Sequence, residues 1–290
     1  MRVLVTGAGG FLGGHIARRL ADAGFEVVAA TRTSPVEPPA SPAAARRFRS
    51  VAIDLARGEL PPACEAIVHS AATSAWTGIS VDGMLTDNVV ATQALVRHAI
   101  EGNASAFVFF SSISAFGTIR APVLTEAEPS VDVPAYGLTK LLGEKLLLDE
   151  AVRLASLSIR LPAVLGRGSK RNWPSEALRK LKAGDPLEFF NPHAPFNNAV
   201  HERDVAALVG AALQRGLSGA EMVVLGAAGR TTIAQAVQAL VDGTGSQSPL
   251  TSQSRERPAF LIDSGKAGRL FGFAPMEILA TLRHFVNDNA

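Results

Sequence analysis

The N-terminal segment constrains the fold of this chain more than any other feature. Arg2-Val3-Leu4-Val5-Thr6 reads as a short buried strand, and a glycine-rich turn from Gly7 to Gly13 follows at once. The periodicity of residues 15–23 then predicts a helix. Glycines at 7, 10 and 13 allow a tight turn, a close approach to a pyrophosphate and close packing of the helix on the strand. Because a helix N-terminus adds N–H donors and a positive dipole end, this segment predicts a dinucleotide site.

Apolar runs and helical patterns alternate through the first 165 residues. We predict helices near 11–23, 82–101 and 135–155, and strands near 2–6, 26–31, 48–53, 65–70, 106–111 and 157–161. Such alternation is typical of a parallel sheet covered by helices on both faces, an α/β fold. The segment 33–45, rich in Pro, Ala and Ser, is predicted to be a loop.

The pattern loosens after Gly166. Loops are predicted at 166–173 and 186–196, helices at 174–183, 205–214 and 231–242, a strand at 221–225 and a final helix within 261–289. We therefore predict a dinucleotide-binding domain over 1–165 and a mostly substrate-binding lobe over 166–290. Elements at about 200–225 are expected to return to the main sheet.

The composition is that of an ordinary globular enzyme, with 47% hydrophobic and 19% charged residues. The net charge of +2 is mild and no run of Lys or Arg is present, so we expect neither DNA nor RNA as a partner. The single cysteine, Cys64, excludes an internal disulfide framework and fits a reducing compartment. Histidines lack metal-ligand spacing, and signal-peptide and membrane-spanning patterns are absent, so we predict a cytoplasmic protein without a metal site.

A second chemical motif lies where a helix is predicted to begin. The chain's single tyrosine, Tyr136, stands four residues before Lys140. On a helix this spacing puts the phenol and the ammonium on one face, one turn apart. A free phenol has a pKa of roughly 10, and a neighbouring cation lowers it towards the working range of an acid/base group. The pair therefore points to proton transfer.

Several motifs occur together in order: Thr6-Gly7-Ala8-Gly9-Gly10-Phe11-Leu12-Gly13, Asp54-Leu55, His69-Ser70-Ala71-Ala72, Asn88-Val89, Ser112 and Tyr136-x-x-x-Lys140. With them the chain resembles the extended short-chain dehydrogenase/reductase superfamily, in particular its nucleotide-sugar epimerase, dehydratase and reductase branch. The resemblance implies a Rossmann-type doubly wound parallel sheet with a small C-terminal substrate lobe. It is specific over about residues 1–165.

The resemblance implies a catalytic role for three residues. Tyr136 would be the acid/base, Lys140 would lower its pKa and hold the nicotinamide ribose, and Ser112 would donate a hydrogen bond to the substrate oxygen. Ser112 is preferred to Ser111 because it lies five residues before Gly117, as in the family's pattern. A structural alternative for Ser112 is a cap at the strand end.

The resemblance also implies a set of cofactor-binding positions. Asp54 would bind the adenine amino group, Ala71 and Ala72 would pass close to the ribose and pyrophosphate, and Asn88 would brace the sheet beside the cofactor. The full set is Gly7, Gly10, Phe11, Leu12, Gly13, Thr31, Arg32, Asp54, Leu55, Ser70, Ala71, Ala72, Asn88, Tyr136, Lys140, Pro162 and Val164.

The choice of cofactor can be argued from charge. Where an acidic residue at the end of the second strand takes the ribose hydroxyls of NAD, this chain has Thr31-Arg32-Thr33-Ser34. The guanidinium of Arg32 suits a 2′-phosphate, so we predict NADP(H) in preference to NAD(H), with NAD(H) as the alternative.

The cofactor bears on the reaction. A net reductase exchanges its cofactor and draws on NADPH, so we predict reduction of a 4-keto nucleotide sugar or the reverse dehydrogenation. Alternatives are a 4-epimerase with bound NAD⁺, a reductase of a non-nucleotide carbonyl compound and a non-catalytic dinucleotide sensor. Pro162-Ala163 departs from the sugar-nucleotide pattern, which leaves open whether the substrate carries a nucleotide.

Candidate substrate residues are Ser74, Trp76, Ser114, Lys170, Arg171, Asn172, Asn197 and His201. Leucine-rich helices near 82–101 and 135–155 suit a homodimer or the sheet face.

Overall fold

A computed structural model describes residues 1–33, 35–74, 78–255 and 258–290, and these divide into two units. The first unit comprises Met1–Thr118, Pro129–Arg160 and Val205–Val223. The second comprises Ile119–Glu128, Leu161–Asp204 and Val224–Ala290. Each unit is therefore assembled from three stretches of chain.

The strands in chain order are β1 Arg2–Thr6, β2 Glu26–Thr31, β3 Phe48–Ala52, β4 Ala66–His69, β5 Ala106–Ser112, β6 Val123–Leu124, β7 Ser156–Leu161, β8 Ala163–Leu165, β9 Leu187–Phe190, β10 Pro195–Phe196, β11 Ala199–His201, β12 Ala220–Val224, β13 Thr231–Thr232, β14 Leu250–Gln253 and β15 Leu261–Ile262. The α-helices are α1 Phe11–Asp22, α2 Pro42–Ala45, α3 Val81–Leu85, α4 Ala91–Glu101, α5 Ala135–Asp149, α6 Trp173–Ala183, α7 Glu202–Arg215, α8 Ile233–Thr244, α9 Gly265–Phe271 and α10 Ile278–Asp288.

The first unit is built around a seven-stranded parallel sheet with the order β12-β7-β5-β4-β1-β2-β3. β1 pairs in parallel with β2 and β4, with Val3 opposite both Val27 and Ala66. Strands covered on both faces must be apolar nearly throughout, and the buried residues 107–110 of β5 follow this pattern. The predicted Rossmann-type α/β fold is confirmed.

The strand order indicates at which end of this sheet a ligand would bind. The chain runs from β1 to β2 and β3 on one side and then returns to β4 on the other side of β1. In open parallel sheets, ligands bind outside the carboxyl ends of the strands at such a reversal. The Gly7–Gly13 turn follows β1 and the Ser70–Ala72 segment follows β4, so both lie at this reversal.

Three predicted elements of the first unit differ in detail. The helix predicted at 82–101 is α3, a π-helical turn at Thr86–Val90 and α4. The helix predicted at 135–155 ends at Asp149, and turns carry the chain on to Leu154, which is buried in the core. The predicted loop at 33–45 includes the short helix α2, which begins with proline because its fixed φ suits the first helical position.

The second unit has its own apolar core, to which α6, α8 and α10 contribute. Small strand pairs surround it: β8 with β11, β9 with β14 and β6 with β15 in parallel, and β10 with β13 antiparallel. The loop predicted at 186–196 therefore contains β9 and β10, which were missed. Within the described ranges, no helix combines the length and the apolar character needed to cross a membrane.

Candidate functional site

The turn between β1 and α1 is held by backbone contacts that only glycine permits. Gly7 has a φ of +66° and its carbonyl accepts a hydrogen bond from Gly10 N at 2.9 Å. A β-carbon at Gly7 would lie 2.6 Å from the Ala71 nitrogen, and one at Gly13 would clash with the Gly7 carbonyl oxygen. No side chain caps α1 at Gly10, which precedes Phe11 and Leu12. This narrow cradle and uncapped helix end fit a pyrophosphate.

A buried chain of polar groups supports the segment that faces this turn. Thr6 Oγ1 lies 2.6 Å from His69 Nδ1, and His69 Nε2 lies 2.9 Å from Thr92 Oγ1. Thr6 Oγ1 also accepts a hydrogen bond from Ala71 N at 3.3 Å. Burial, and then the charge of Lys140, lower the pKa of His69 to about 3. His69 is therefore neutral, and both of its ring nitrogens are engaged within this chain of polar groups.

Asn88 lies in the π-helical turn and connects two parts of the site. Its Oδ1 accepts from Thr73 N and its Nδ2 donates to Thr73 O, both at 2.7 Å. Nδ2 also donates to Thr139 Oγ1 at 3.1 Å, and Thr139 Oγ1 donates to Tyr136 O at 2.8 Å. Asn88 thus braces the segment after β4 against the start of α5. Ser70 and Ser74 are half-buried in that segment, Ala72 is exposed, and Trp76 lies outside the described residues.

A groove of about 600 Å³ lies beyond the ends of β2 and β3. Its lining comprises Arg32, Thr33, Ala52, Ile53, Asp54, Arg57 and Glu59. The Arg32 side chain is 60% exposed, and its Nη1 lies 3.6 Å from Asp87 Oδ2. Thr31, also predicted here, points its hydroxyl towards the glycine turn, because a β-carbon at Gly9 would lie 2.5 Å from Thr31 Oγ1.

Asp54 has a local structural role inside this groove. Its Oδ1 accepts a hydrogen bond from Ala56 N at 3.1 Å and so caps the 3₁₀ turn Leu55–Arg57. Its Oδ2 lies 3.5 Å from Arg57 Nε. Arg57 is a second groove cation that the sequence reasoning missed, since nothing in its local pattern places it beside Arg32.

Ser112 ends β5 and begins the turn next to α5. Its Oγ accepts a hydrogen bond from Ser114 N at 3.1 Å, which caps the 3₁₀ turn Ile113–Ala115. A hydroxyl that accepts one bond keeps its own hydrogen for donation, so capping and substrate contact are compatible. Ser114 is half-buried, and its carbonyl oxygen packs so closely on Gly137 that a β-carbon there would clash. Tyr136 is thereby held beside the Ser112 turn.

Lys140 is buried one turn after Tyr136. Its Nζ donates to Phe110 O at 2.9 Å and lies 5.7 Å from the centroid of the Tyr136 ring. Burial lowers the pKa of Lys140 to about 8, and Glu144 acts against this effect. Burial also raises the pKa of Tyr136 to about 12. Desolvation of the phenol is the cause of this rise, and the expectation that Lys140 lowers the pKa of Tyr136 stays a prediction.

Predicted residues of the loop before α6 fall into two groups. Lys170 and Arg171 are exposed, and Arg171 adopts a φ of +64°. Asn172 caps α6 by accepting from Ser175 N at 3.0 Å, and its Nδ2 donates to Ser169 Oγ at 3.0 Å. The contacts of Asn172 are therefore structural.

Two further predicted substrate residues are buried within the second unit. Asn197 donates through Nδ2 to Ala227 O at 3.1 Å and to Ile262 O at 2.9 Å, so both amide hydrogens are used. His201 accepts at Nδ1 from Arg203 N at 3.2 Å, and its Nε2 lies 2.9 Å from Asp288 Oδ2. These contacts hold the second unit together, and substrate contact by Asn197 and His201 stays a prediction. Pro162 and Val164 are half-buried, Val164 in β8 opposite β11.

A model of the NAD-dependent epimerase/dehydratase family matches residues 3–226. The chain belongs to this family. The predicted membership of the extended short-chain dehydrogenase/reductase superfamily is confirmed. Relatives of this chain include a dehydrogenase named for NAD(P)⁺ and a UDP-glucose 4-epimerase.

Two curated proteins are similar to part of this chain. The dTDP-6-deoxy-L-talose 4-dehydrogenase (NAD(P)(+)) of Kitasatospora kifunensis is 33% identical over 181 residues, which are 58% of this chain and 54% of that protein. The sterol-4-alpha-carboxylate 3-dehydrogenase, decarboxylating, of Dictyostelium discoideum is 29% identical over 175 residues, 57% of this chain and 53% of that protein. The chain spans about half the length of these relatives.

A solved structure supports the fold of this family member along its whole length. MoeE5 in complex with UDP-glucose and NAD has a TM-score of 0.80 with 24% sequence identity. The match covers 99% of this chain and 98% of that chain. The likeness therefore extends over both units.

Proposed function

We propose that this protein is an NADP(H)-dependent oxidoreductase that reduces a 4-keto nucleotide sugar or catalyses the reverse dehydrogenation. The observation that carries the proposal is the groove beyond β2 and β3, where Arg32 occupies the position at which NAD enzymes place a carboxylate. A guanidinium binds a 2′-phosphate through several donors, whereas a carboxylate there repels it. Arg57 adds a second cation to the same groove.

The proposed chemistry divides between the cofactor and the chain. When bound, the cofactor would supply a hydride for the carbonyl carbon of the substrate. Tyr136 gives the proton to the carbonyl oxygen, and Ser112 donates a hydrogen bond to the same oxygen. The pKa of Tyr136, raised to about 12 by burial, keeps the phenol protonated at neutral pH, which suits the reductive direction.

The cofactor-binding residues act mainly through backbone and position. Gly7, Gly10 and Gly13, with Phe11 and Leu12, bring the backbone and the start of α1 to the pyrophosphate. Asp54 and Leu55 would lie beside the adenine, and Ala71 and Ala72 beside the ribose. Lys140 would hold the nicotinamide ribose, while Ser70, Asn88, Pro162 and Val164 would shape the surrounding wall.

The substrate class rests on the relatives and on the exposed cations of one loop. The Kitasatospora kifunensis relative is named for a dTDP-sugar, and MoeE5 is described with UDP-glucose. Lys170 and Arg171 are exposed and carry the charge that a diphosphate needs. Ser74, Ser114 and Trp76 remain candidates for contact with the sugar.

A nucleotide-sugar 4-epimerase is the second candidate, and the match to the epimerase/dehydratase family model favours it. An epimerase returns the hydride to the same substrate and keeps its cofactor bound. Protein purified with one equivalent of bound NAD⁺ would therefore support epimerase activity over net reduction.

The cofactor choice is tested by replacing Arg32 with alanine and titrating the protein with NADPH and NADH. We expect the dissociation constant for NADPH to rise about tenfold or more, with little change for NADH, because only NADPH carries the 2′-phosphate. Arg153→Ala is the matched control, since Arg153 is 62% exposed and lies 3.2 Å from Glu150. Equal weakening for both cofactors in Arg32→Ala, or tighter binding of NADH by the unchanged protein, would overturn the assignment.

The substrate class is tested by repeating the NADPH titration with UDP-, dTDP- and GDP-sugars. Tighter NADPH binding with one nucleotide series would support the proposal and identify the base. A carbonyl compound without a nucleotide that turns over, when no nucleotide sugar does, would replace it with the class of the Dictyostelium discoideum relative.

We also propose that the protein forms a homodimer through α3, the π-helical turn and α5. These elements contact one another and carry exposed apolar side chains. The exposed set is Val81, Leu85, Val90, Leu138, Leu142 and Leu148. By contrast, Leu147 of α5 is buried in the core. A helix face with this much exposed leucine is typical of an interface.

A further inference from the structure

Successive turns of α5 hold successive residues of β5. Lys140 Nζ donates to the carbonyl oxygen of Phe110 at 2.9 Å. One turn later, Glu144 Oε1 accepts a hydrogen bond from Ser111 Oγ at 2.5 Å. The next residue of β5 is Ser112, so this double attachment fixes the strand end that carries it. The lysine and the glutamate also share one helix face, because residues four apart are neighbours there.

Glu144 is itself held by a buried cation from the adjacent strand. Arg160 of β7 donates through Nε and Nη2 to the two carboxylate oxygens at 2.9 and 2.7 Å. The side chains are only 7% and 13% exposed, so this is a desolvated two-point pair. The guanidinium also lies 4.1 Å from the centroid of the Phe116 ring. Phe116 follows the turn that Ser112 caps, and the pair therefore connects β7, α5 and that turn.

Among the titratable groups around Lys140, Glu144 has a specific electrostatic role. Burial favours the neutral form of Lys140, and Glu144 is the group that opposes it. His69, on β4, has a pKa lowered to about 3 and is neutral, and Tyr136 keeps its proton at neutral pH. Asp87, on the π-helical turn that packs against α5, bonds Thr73 and lies close to Arg32. Glu144 is thus the carboxylate that acts on Lys140, and Arg160 offsets part of its charge.

We propose that Glu144 is a positioning residue that keeps Lys140 protonated and holds α5 against the end of β5, with Arg160 setting how much of its charge reaches Lys140. The assignment of a task to Lys140 rests on the proposed function. Removing the carboxylate charge makes protonation of Lys140 harder. Removing the guanidinium leaves that charge unopposed and makes protonation easier.

The test is a direct titration of Lys140 by NMR of the protein labelled with ¹³C at the lysine ε-carbon. The chain has six lysines, of which Lys140 is buried: Lys140, Lys145, Lys170, Lys180, Lys182 and Lys266. Loss of one signal in a Lys140→Met variant assigns the resonance. The unchanged protein should titrate near pH 8 at this position, below the range of ordinary lysines near 10.4.

Two variants should displace the midpoint in opposite directions. Glu144→Gln keeps an acceptor for Ser111 and should move the Lys140 midpoint to lower pH by about one pH unit. Arg160→Met keeps an apolar stem over Phe116 and should move it to higher pH. Asp149→Asn, which removes an exposed carboxylate from the same helix, should leave it in place.

Opposite displacements support the proposal, because general loosening of the fold would move both midpoints towards that of an exposed lysine. Displacement in the same direction, or none, overturns it. If Glu144→Gln does not fold, Arg160→Met and the double variant Glu144→Gln/Arg160→Met still decide, since the double variant should titrate below Arg160→Met. A different outcome is that the midpoints move as expected but neither the unchanged protein nor any variant binds NADPH or NADH. The electrostatic role of Glu144 is then supported, and the proposed function is disproved.

Discussion

At the scale of single residues, burial acts on the two central titratable groups in opposite directions. It raises the pKa of Tyr136 to about 12 and lowers the pKa of Lys140 to about 8. Both changes favour the uncharged form, since a low-dielectric interior disfavours charge. Below about pH 8 the pair is a neutral phenol beside a protonated amine, which is the state that can give up a proton from the phenol while the amine stays charged.

Replacing Tyr136 with phenylalanine removes only the phenolic hydroxyl. We expect kcat/KM for the substrate identified in the nucleotide-sugar panel to fall about 10²- to 10⁴-fold, the usual contribution of a positioned acid/base group. The dissociation constant for NADPH should change little, because the ring remains. Steady-state kinetics and cofactor titration measure the two effects, with Asp149→Asn as the control on the same helix. Turnover by Tyr136→Phe equal to that of the unchanged protein would remove Tyr136 from the reaction.

At the scale of elements, the seating of α5 decides the geometry around Ser112. Gly137 packs on the Ser114 carbonyl, and a β-carbon at Gly143 would lie 2.5 Å from the Phe109 ring. These two glycines are six residues apart and let the helix lie directly on β5 and the turn that follows. Elsewhere, glycine in a helix costs stability because it has greater freedom in the unfolded chain. The two glycines therefore lower the intrinsic stability of α5 and allow it to approach β5 and the Ser112 turn closely.

Two alanine variants separate close approach from helix propensity. Gly137→Ala should lower the free energy of unfolding by about 2 kcal/mol or more, because its β-carbon meets backbone that cannot move aside cheaply. Gly210→Ala, in α7, should raise it by up to about 1 kcal/mol, because the nearest atom to its β-carbon is Leu20 Cδ2 at 3.9 Å. Urea denaturation measures both. Equal changes in the free energy of unfolding of the two variants would show that helix propensity, and not the contact with Ser114, decides the effect of Gly137→Ala.

At the scale of the whole molecule, the exposed leucines of α5 bear on assembly. Replacing Leu142, which is 45% exposed, with glutamate should convert the proposed homodimer to a monomer, because a buried unpaired charge is costly at an interface. Light scattering coupled to size-exclusion chromatography gives the mass. Leu60→Glu is the control, since Leu60 is 49% exposed and lies outside these helices. An unchanged protein with the mass of one chain would disprove the dimer.

The sequence predicted the first unit better than the second, for physical reasons. β1, β4 and β5 are buried on both faces, so their apolar runs were visible without any partner. Pairs such as β9 with β14 join residues far apart in the chain, and β14 is exposed throughout, so no local pattern marked them. The π-helical turn left no signal either, because its residues continue the helical pattern on both sides.

Site residues show the same division. Tyr136, Lys140 and the glycines were predicted from spacing, because helix geometry and backbone approach follow from the local sequence. Asn172 and Asn197 were chosen for their chemistry, but partners that the sequence could not reveal already occupy their amides. The pair of Glu144 and Arg160 was missed because its partners come from different elements.

The discontinuous first unit has a practical meaning for protein engineering. β12 forms one edge of the main sheet beside β7, yet it is encoded some 60 residues further along the chain, after the whole of the second unit's stretch Leu161–Asp204. A fragment cut after Arg160 would lose β12 and α7 and leave β7 as a bare edge, and bare edges recruit other strands and aggregate. The first unit therefore cannot be isolated by a single truncation. A functional miniature would need the segment Val205–Val223 rejoined through a designed linker.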